Sequence, residues 1–227
     1  MKVKLNYNFK GNKYNYFPKT NEELKGLVNN LIKQYGNEID LNDIDVSNID
    51  DFKFVFSNQI NFNGTISEWE VSNGINFRDT FFNCEKFNSD ISKWDVSNGE
   101  TFDWMFGYCE NIALDISNWN VSSSKKFNGI FYKCTLFNSD LSKWDVSNVN
   151  YFNKMFYDCK KFNSDLSRWN VSAGKYFENM FFGCKKFNFD LSEWNVSNAE
   201  SYEDFATNSL LATYPERIPK KFRNNYL

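Results

Sequence analysis

An α/β solenoid of stacked 25-residue coils, each a short helix followed by a short parallel strand, is the fold the sequence predicts. Three observations predict it. Trp69, Trp94, Trp119, Trp144, Trp169 and Trp194 recur at steps of 25 residues without an insertion. Cys84 to Cys184, Phe56 to Phe181 and Val46 to Val196 keep the same step. Aromatic residues make up 19% of the chain, so rings must fill much of any core. A short fixed period means that one unit cannot bury its apolar face alone and stacks on its neighbours.

The helix of each coil is read from SNVNYFNKMFYDCKKF. Phe152, Met155, Phe156 and Cys159 follow the i, i+3, i+4, i+7 spacing of one helical face. Ser147 or Asn148 stands where a side-chain oxygen would cap it. FNSDLSRW follows with no helical period. Phe162 and Leu166 point inward, as do Trp169 and Val171, which are two residues apart as in extended chain. Strands of successive coils are expected to pair in parallel. The first unit is degenerate, with Ile44 at the Trp position and Gln59 at the Cys position.

The array is expected to span residues 44–208, between an N-terminal cap (1–43) and a C-terminal cap (209–227). In the first cap, KVKLNYNF alternates like a strand. Thr20 with Glu23 has the form of a capping box. Leu24, Leu27, Val28, Leu31 and Ile32 form an apolar stripe and Gly36 a stop, so the spacing predicts a helix over about 21–35. The proline-bearing tail TYPERIPKKFRNNYL is expected to close the last coil.

Charge and composition narrow the functions. Net charge is −3. Residues 1–20 carry five Lys and no acid, and the tail carries +3, which leaves −11 on residues 21–208. An acidic array is a poor nucleic-acid ligand. No apolar run is long enough for a membrane span, and no secretory leader or anchor is read, so the chain as written is expected in the cytoplasm. There is no His, no CxxC pair and no Gly-rich phosphate loop, so no catalytic residue, cofactor or metal site is assigned. The five cysteines are read as buried free thiols acting as small apolar residues. Asp90, Asp115, Asp140, Asp165 and Asp190 form a further ladder, each with Ser two residues on. They are read as turn acceptors, with calcium held between coils as the alternative.

That leaves a binding module, with a structural, self-assembling protein as the alternative. Exposed polar positions beside the strand (Ser89, Lys93, Ser139, Lys143, Ser164, Arg168) and positions that break the repeat (Trp104, Tyr132, Phe189) are the candidate partner contacts. Trp104, alone off the Trp register, is expected on an exposed helix flank.

The unit MFYDCKKFNSDLSRWNVS carries a resemblance. The motif F-x-x-C-x-x-F-N-x-D-[IL]-S-x-W-[DN]-V-S recurs at Phe81, Phe131, Phe156 and Phe181, while the Phe106 unit departs with Ile112, Ala113 and Leu114. FPKTNEELKGLV followed by DLNDIDVSN is similar to the leader of the same family. Over about residues 44–205 the chain resembles BspA-like leucine-rich-repeat surface proteins of bacteria, in the 25-residue branch first catalogued as a mycoplasma-type domain of unknown function. The resemblance implies a leucine-rich-repeat-like stack and, by analogy, surface or secreted protein binding, adhesion or host interaction. It brings no catalytic residue.

Overall fold

The computed structural model describes residues 13–226. The KVKLNYNF strand expectation lies outside them. One α-helix, α1 (Asn21–Tyr35), is present, in the stretch where the local signals stand. Thr20 accepts from the Glu23 N–H at 3.2 Å, and the Gly36 N–H closes the other end on the Ile32 carbonyl at 2.9 Å. Its buried face is Leu24, Val28, Leu31 and Ile32.

Beyond α1 the predicted fold class is overturned. Among the described residues the remaining helices are three short 3-10 segments in the tail, and the β pairing consists of isolated parallel bridges, not strands of a sheet. An α/β solenoid of helix-plus-strand coils, and with it the leucine-rich-repeat-like stack, is not what this chain forms.

The reason lies in the stretch read as a helix. Met155 N bonds to Phe152 O at 3.1 Å, and Cys159 N to Phe156 O at 3.0 Å, closing two successive four-residue turns. The third residue of each turn, Lys154 and Asp158, has φ of 56°. Such left-handed residues are incompatible with a continuous α-helix. Phe152, Met155, Phe156 and Cys159 are therefore the first and last residues of two turns, which share the i, i+3, i+4, i+7 spacing of a helix face. The same positive φ recurs at Phe54, Asn58, Asp79, Asn83, Trp104, Tyr108, Gly129, Lys133, Asn179, Gly183, Asp204 and Asn208.

Alternate N–H groups of these turns are directed to the next coil. Phe152, Lys154, Phe156 and Asp158 donate to the carbonyls of Tyr176, Glu178, Met180 and Phe182 at 2.7–2.9 Å. The preceding coil does the same from Phe127, Gly129, Phe131 and Lys133. A column of parallel bridges runs Asp51, Asn76, Thr101, Lys126, Tyr151, Tyr176, Ser201 in steps of 25. Residues one period apart are thus neighbours in space, and like side chains lie on like.

The rings follow. Trp69 and Trp94 are 6.2 Å apart and 2° from parallel. Phe81, Phe106, Phe131, Phe156 and Phe181 stack at 5.4–5.9 Å. Each ladder Trp also donates its indole N–H to a carbonyl in the previous coil: Trp69 to Leu41, Trp94 to Ile66, Trp119 to Ile91, Trp144 to Ile116, Trp169 to Leu141 and Trp194 to Leu166, at 2.9–3.1 Å. The five thiols are buried, and each lies about 3.0 Å from a Phe carbonyl of the previous coil. Burial raises their pKa, to about 12 for Cys109, which keeps them as thiols.

Both ends of the described stack are covered. Asn21 of α1 donates to the Asp51 and Lys53 carbonyls at 2.9 Å. At the other end Phe222 is buried against Tyr202, 4.4 Å away, and Phe205, 5.0 Å away. The Ala206 N–H donates to Tyr226 Oη at 2.7 Å.

Replacing Trp144 separates ring packing from the indole bond. Trp144→Ala is expected to cost about 3–5 kcal/mol in urea unfolding through loss of a buried ring. Trp144→Phe keeps a ring but loses the indole bond to the Ile116 carbonyl, which still accepts the Trp119 N–H, at about 0.5–1.5 kcal/mol. A Phe variant as stable as the parent would show that the bond contributes nothing.

Candidate functional site

The Asp ladder faces solvent and serves the turns. Asp90, Asp115, Asp140, Asp165 and Asp190 each accept the backbone N–H of the Ser two residues on, at 2.9–3.0 Å. At Asp90, Asp115, Asp140 and Asp190 these bonds favour the ionised form. The Ser92 and Ser117 hydroxyls, then their N–H groups, hold Asp90 and Asp115 below the usual carboxylate range. For Asp140 and Asp190 the backbone N–H of Ser142 and Ser192 comes first and the hydroxyl second. Among the described residues no group of three or more His, Cys, Asp or Glu is arranged to hold a metal ion.

Two polar grooves open on the flanks. One, of about 570 Å³, is lined by Asn138, Asp140, Lys143, Asn163, Asp165 and Arg168. It brings together Lys143 and Arg168 from successive coils. Lys93 occupies the same column two coils earlier and is exposed, but does not line this groove. Ser89, Ser139 and Ser164, expected at the surface, are buried. Ser139 Oγ accepts from Ile116 N at 3.1 Å, and Ser164 Oγ from Leu141 N at 2.8 Å, so two of these hydroxyls replace a backbone partner.

The other groove, of about 560 Å³, is lined by Arg78, Asp103, Trp104, Asn128, Lys154 and Glu178, among others. No helix flank exists for Trp104 to occupy. It is half-buried in a turn, at φ 57°. Its ring lies on Gly129, where an added Cβ would come within 2.7–2.9 Å of three ring atoms. Tyr132 is 5.1 Å from it, so these two predicted residues do meet. Phe189 does not join them. It is half-buried, packed on the core, with its ring 6.2 Å from Phe187.

Sequence reasoning missed the outer aromatic column around Tyr132. Tyr132 stacks on Tyr157 at 4.7 Å, and Tyr157 on Phe182 at 4.6 Å. Lys133 Nζ lies 5.0 Å from the Tyr108 ring centre and 5.6 Å from that of Tyr132. The signal was legible: the residue after the core Phe is Phe82, Tyr132, Tyr157 or Phe182 in four coils. Burial, then the neighbouring Tyr108, pushes the Tyr132 phenol up to about 12. Also missed was Asp103. Its Oδ1 accepts both the backbone N–H and the side-chain amide of Asn128, at 2.9 and 3.0 Å. Burial raises its pKa against those bonds.

The 25-residue register and these columns can be set beside known families. A family model described as "Mycoplasma protein of unknown function, DUF285" matches residues 23–135 and again residues 100–213. The chain belongs to this family. DUF285 agrees with the mycoplasma-type part of the resemblance, but the match does not carry the BspA-like leucine-rich-repeat assignment. No curated protein and no solved structure matches the chain. No helix of the described residues is long and apolar enough to cross a membrane.

The Asp ladder sets a pH dependence. A carboxyl held low in the folded state contributes stability above its unfolded pKa and loses it as pH falls through the folded value. Stability is thus expected to fall below about pH 4. In a neighbouring turn column, where other coils have Asp95 and Asp145, Asn120 accepts the Ser122 N–H at 3.1 Å, so Asn can serve such a turn. Replacing Asp90, Asp115, Asp140 and Asp190 together by Asn should keep the fold at pH 7 and flatten that acid decline in Tm. An unchanged acid limb would contradict the ladder's part in it.

Proposed function

We propose that this DUF285 repeat protein is a non-enzymatic module whose outer columns form an extended binding surface for another protein. The observation that carries the reading is the contrast between columns. Core columns repeat Trp, Phe, Cys and Val with little change, while the flanking column at 78, 103, 128, 153 and 178 reads Arg, Asp, Asn, Asn, Glu. Stacking demands likeness only inside, so the flanks are free to match a partner. Absence of His and the burial of every thiol support the non-enzymatic part, because the usual nucleophiles and bases are missing or inaccessible. The covers at both described ends weigh against the self-assembling alternative.

The test is capture from cognate cell extract with three baits: the parent chain, Lys143→Glu with Arg168→Glu, and Tyr132→Ala. A defined protein should be retained by the parent and lost by at least one variant, with Tm moved by no more than about 2 °C for the exposed pair. An identical captured set from all three baits would defeat the reading. Mass that climbs with concentration in light scattering would favour self-assembly instead.

A further inference from the structure

We infer that the groove beside Trp104 is a binding site for a neutral saccharide, which goes beyond the protein-binding reading. Four observations carry it. First, the fold does not require Trp there. The same turn position is Phe54, Asp79, Gly129, Lys154, Asn179 or Asp204 in other coils. Second, Gly129 leaves bare backbone under one part of the ring, which fixes Trp104 flat as a wall of the groove.

Third, Asp103 is only 9% exposed and both of its hydrogen bonds fall on Oδ1, which leaves Oδ2 to accept from a ligand hydroxyl. The Asn153 side chain is held at its oxygen by the Glu178 N–H at 3.0 Å, so its amide N–H groups are left to donate. Fourth, the charges balance. Asp103 and Glu178 face Arg78 and Lys154, and the Arg78 Nε is already 3.1 Å from Asp79. A balanced site with an aromatic wall and fixed acceptors and donors suits a pyranose, whose C–H face packs on a ring while its hydroxyls both give and take hydrogen bonds. Its volume, about 560 Å³, holds one to two such rings.

The seven tryptophans supply a readout. The six ladder residues are 3–5% exposed, so iodide can quench only Trp104. The full chain is titrated with methyl α-D-mannoside, methyl β-D-galactoside, maltotriose and chitotriose, by iodide quenching and by calorimetry. Tetramethylammonium serves as the cationic comparison. A parallel arm uses a mannose-bearing glycoprotein before and after enzymatic deglycosylation. At least one sugar should protect Trp104 from iodide, and Trp104→Ala should remove both the quenching and the binding. Asp103→Asn keeps the shape and should weaken affinity about tenfold with Tm unchanged. Binding to the glycoprotein alone, lost on deglycosylation, would also support the site and place its ligand on a glycan. The inference is overturned by no protection up to about 20 mM of any sugar together with no glycoprotein binding that deglycosylation removes, by preference for tetramethylammonium, by glycoprotein binding that survives deglycosylation, or by equal affinity in Asp103→Asn.

Discussion

The backbone of one coil cannot satisfy itself. Its turns close some bonds internally, such as Met155 N to Phe152 O, but Phe152, Lys154, Phe156 and Asp158 send their N–H groups out of the coil. Buried amides must find partners. Here they find them 24 residues on, and a partner at that offset exists only if the next coil has the same length and shape. The fixed period, the in-phase rings and the covers at both ends follow from this demand. So does the Asn- and Ser-rich text of the flanks, which would be poor material for helix or strand but suits side-chain acceptors in turns.

Stacking like on like sets what can vary. A Trp that donates to Ile116 O and lies on its neighbours is constrained on several sides, so the ladder repeats with little change. A flank residue touches only the coils above and below. Trp104 could therefore replace what is Asp79 or Lys154 elsewhere, provided that Gly129 stood beneath it. Function in such a chain is sought where the columns stop agreeing.

Local signals were the most legible. Thr20, Glu23, the Leu24–Ile32 stripe and Gly36 describe α1 because capping and amphipathicity act within a few residues. The 25-residue registers were legible too, since the period is written in the chain. The coil interior was not. Spacing i, i+3, i+4, i+7 fits two four-residue turns as well as a helix, and the discriminating signal lay in Asn, Asp or Gly at Asn58, Asp79, Asn83, Gly129, Asp158, Asn179 and Gly183, residues that tolerate left-handed backbone. Ser139 and Ser164 looked like surface because they are polar, yet their hydroxyls accept backbone N–H groups inside. Of the Trp104 groove, the sequence showed the off-register Trp but not Arg78, Asp103 or Asn128, which only a lateral column brings side by side.

The most direct measurement of the inter-coil demand is thermal unfolding of two deletions that differ by one residue. Removing residues 126–150 takes out one whole period and lets every N–H meet an equivalent carbonyl. Removing residues 126–149 leaves the next coil one residue out of phase. The account predicts a cooperative transition close to the parent Tm for the first and a collapse of Tm or of cooperativity for the second. Equal stability of the two would contradict it.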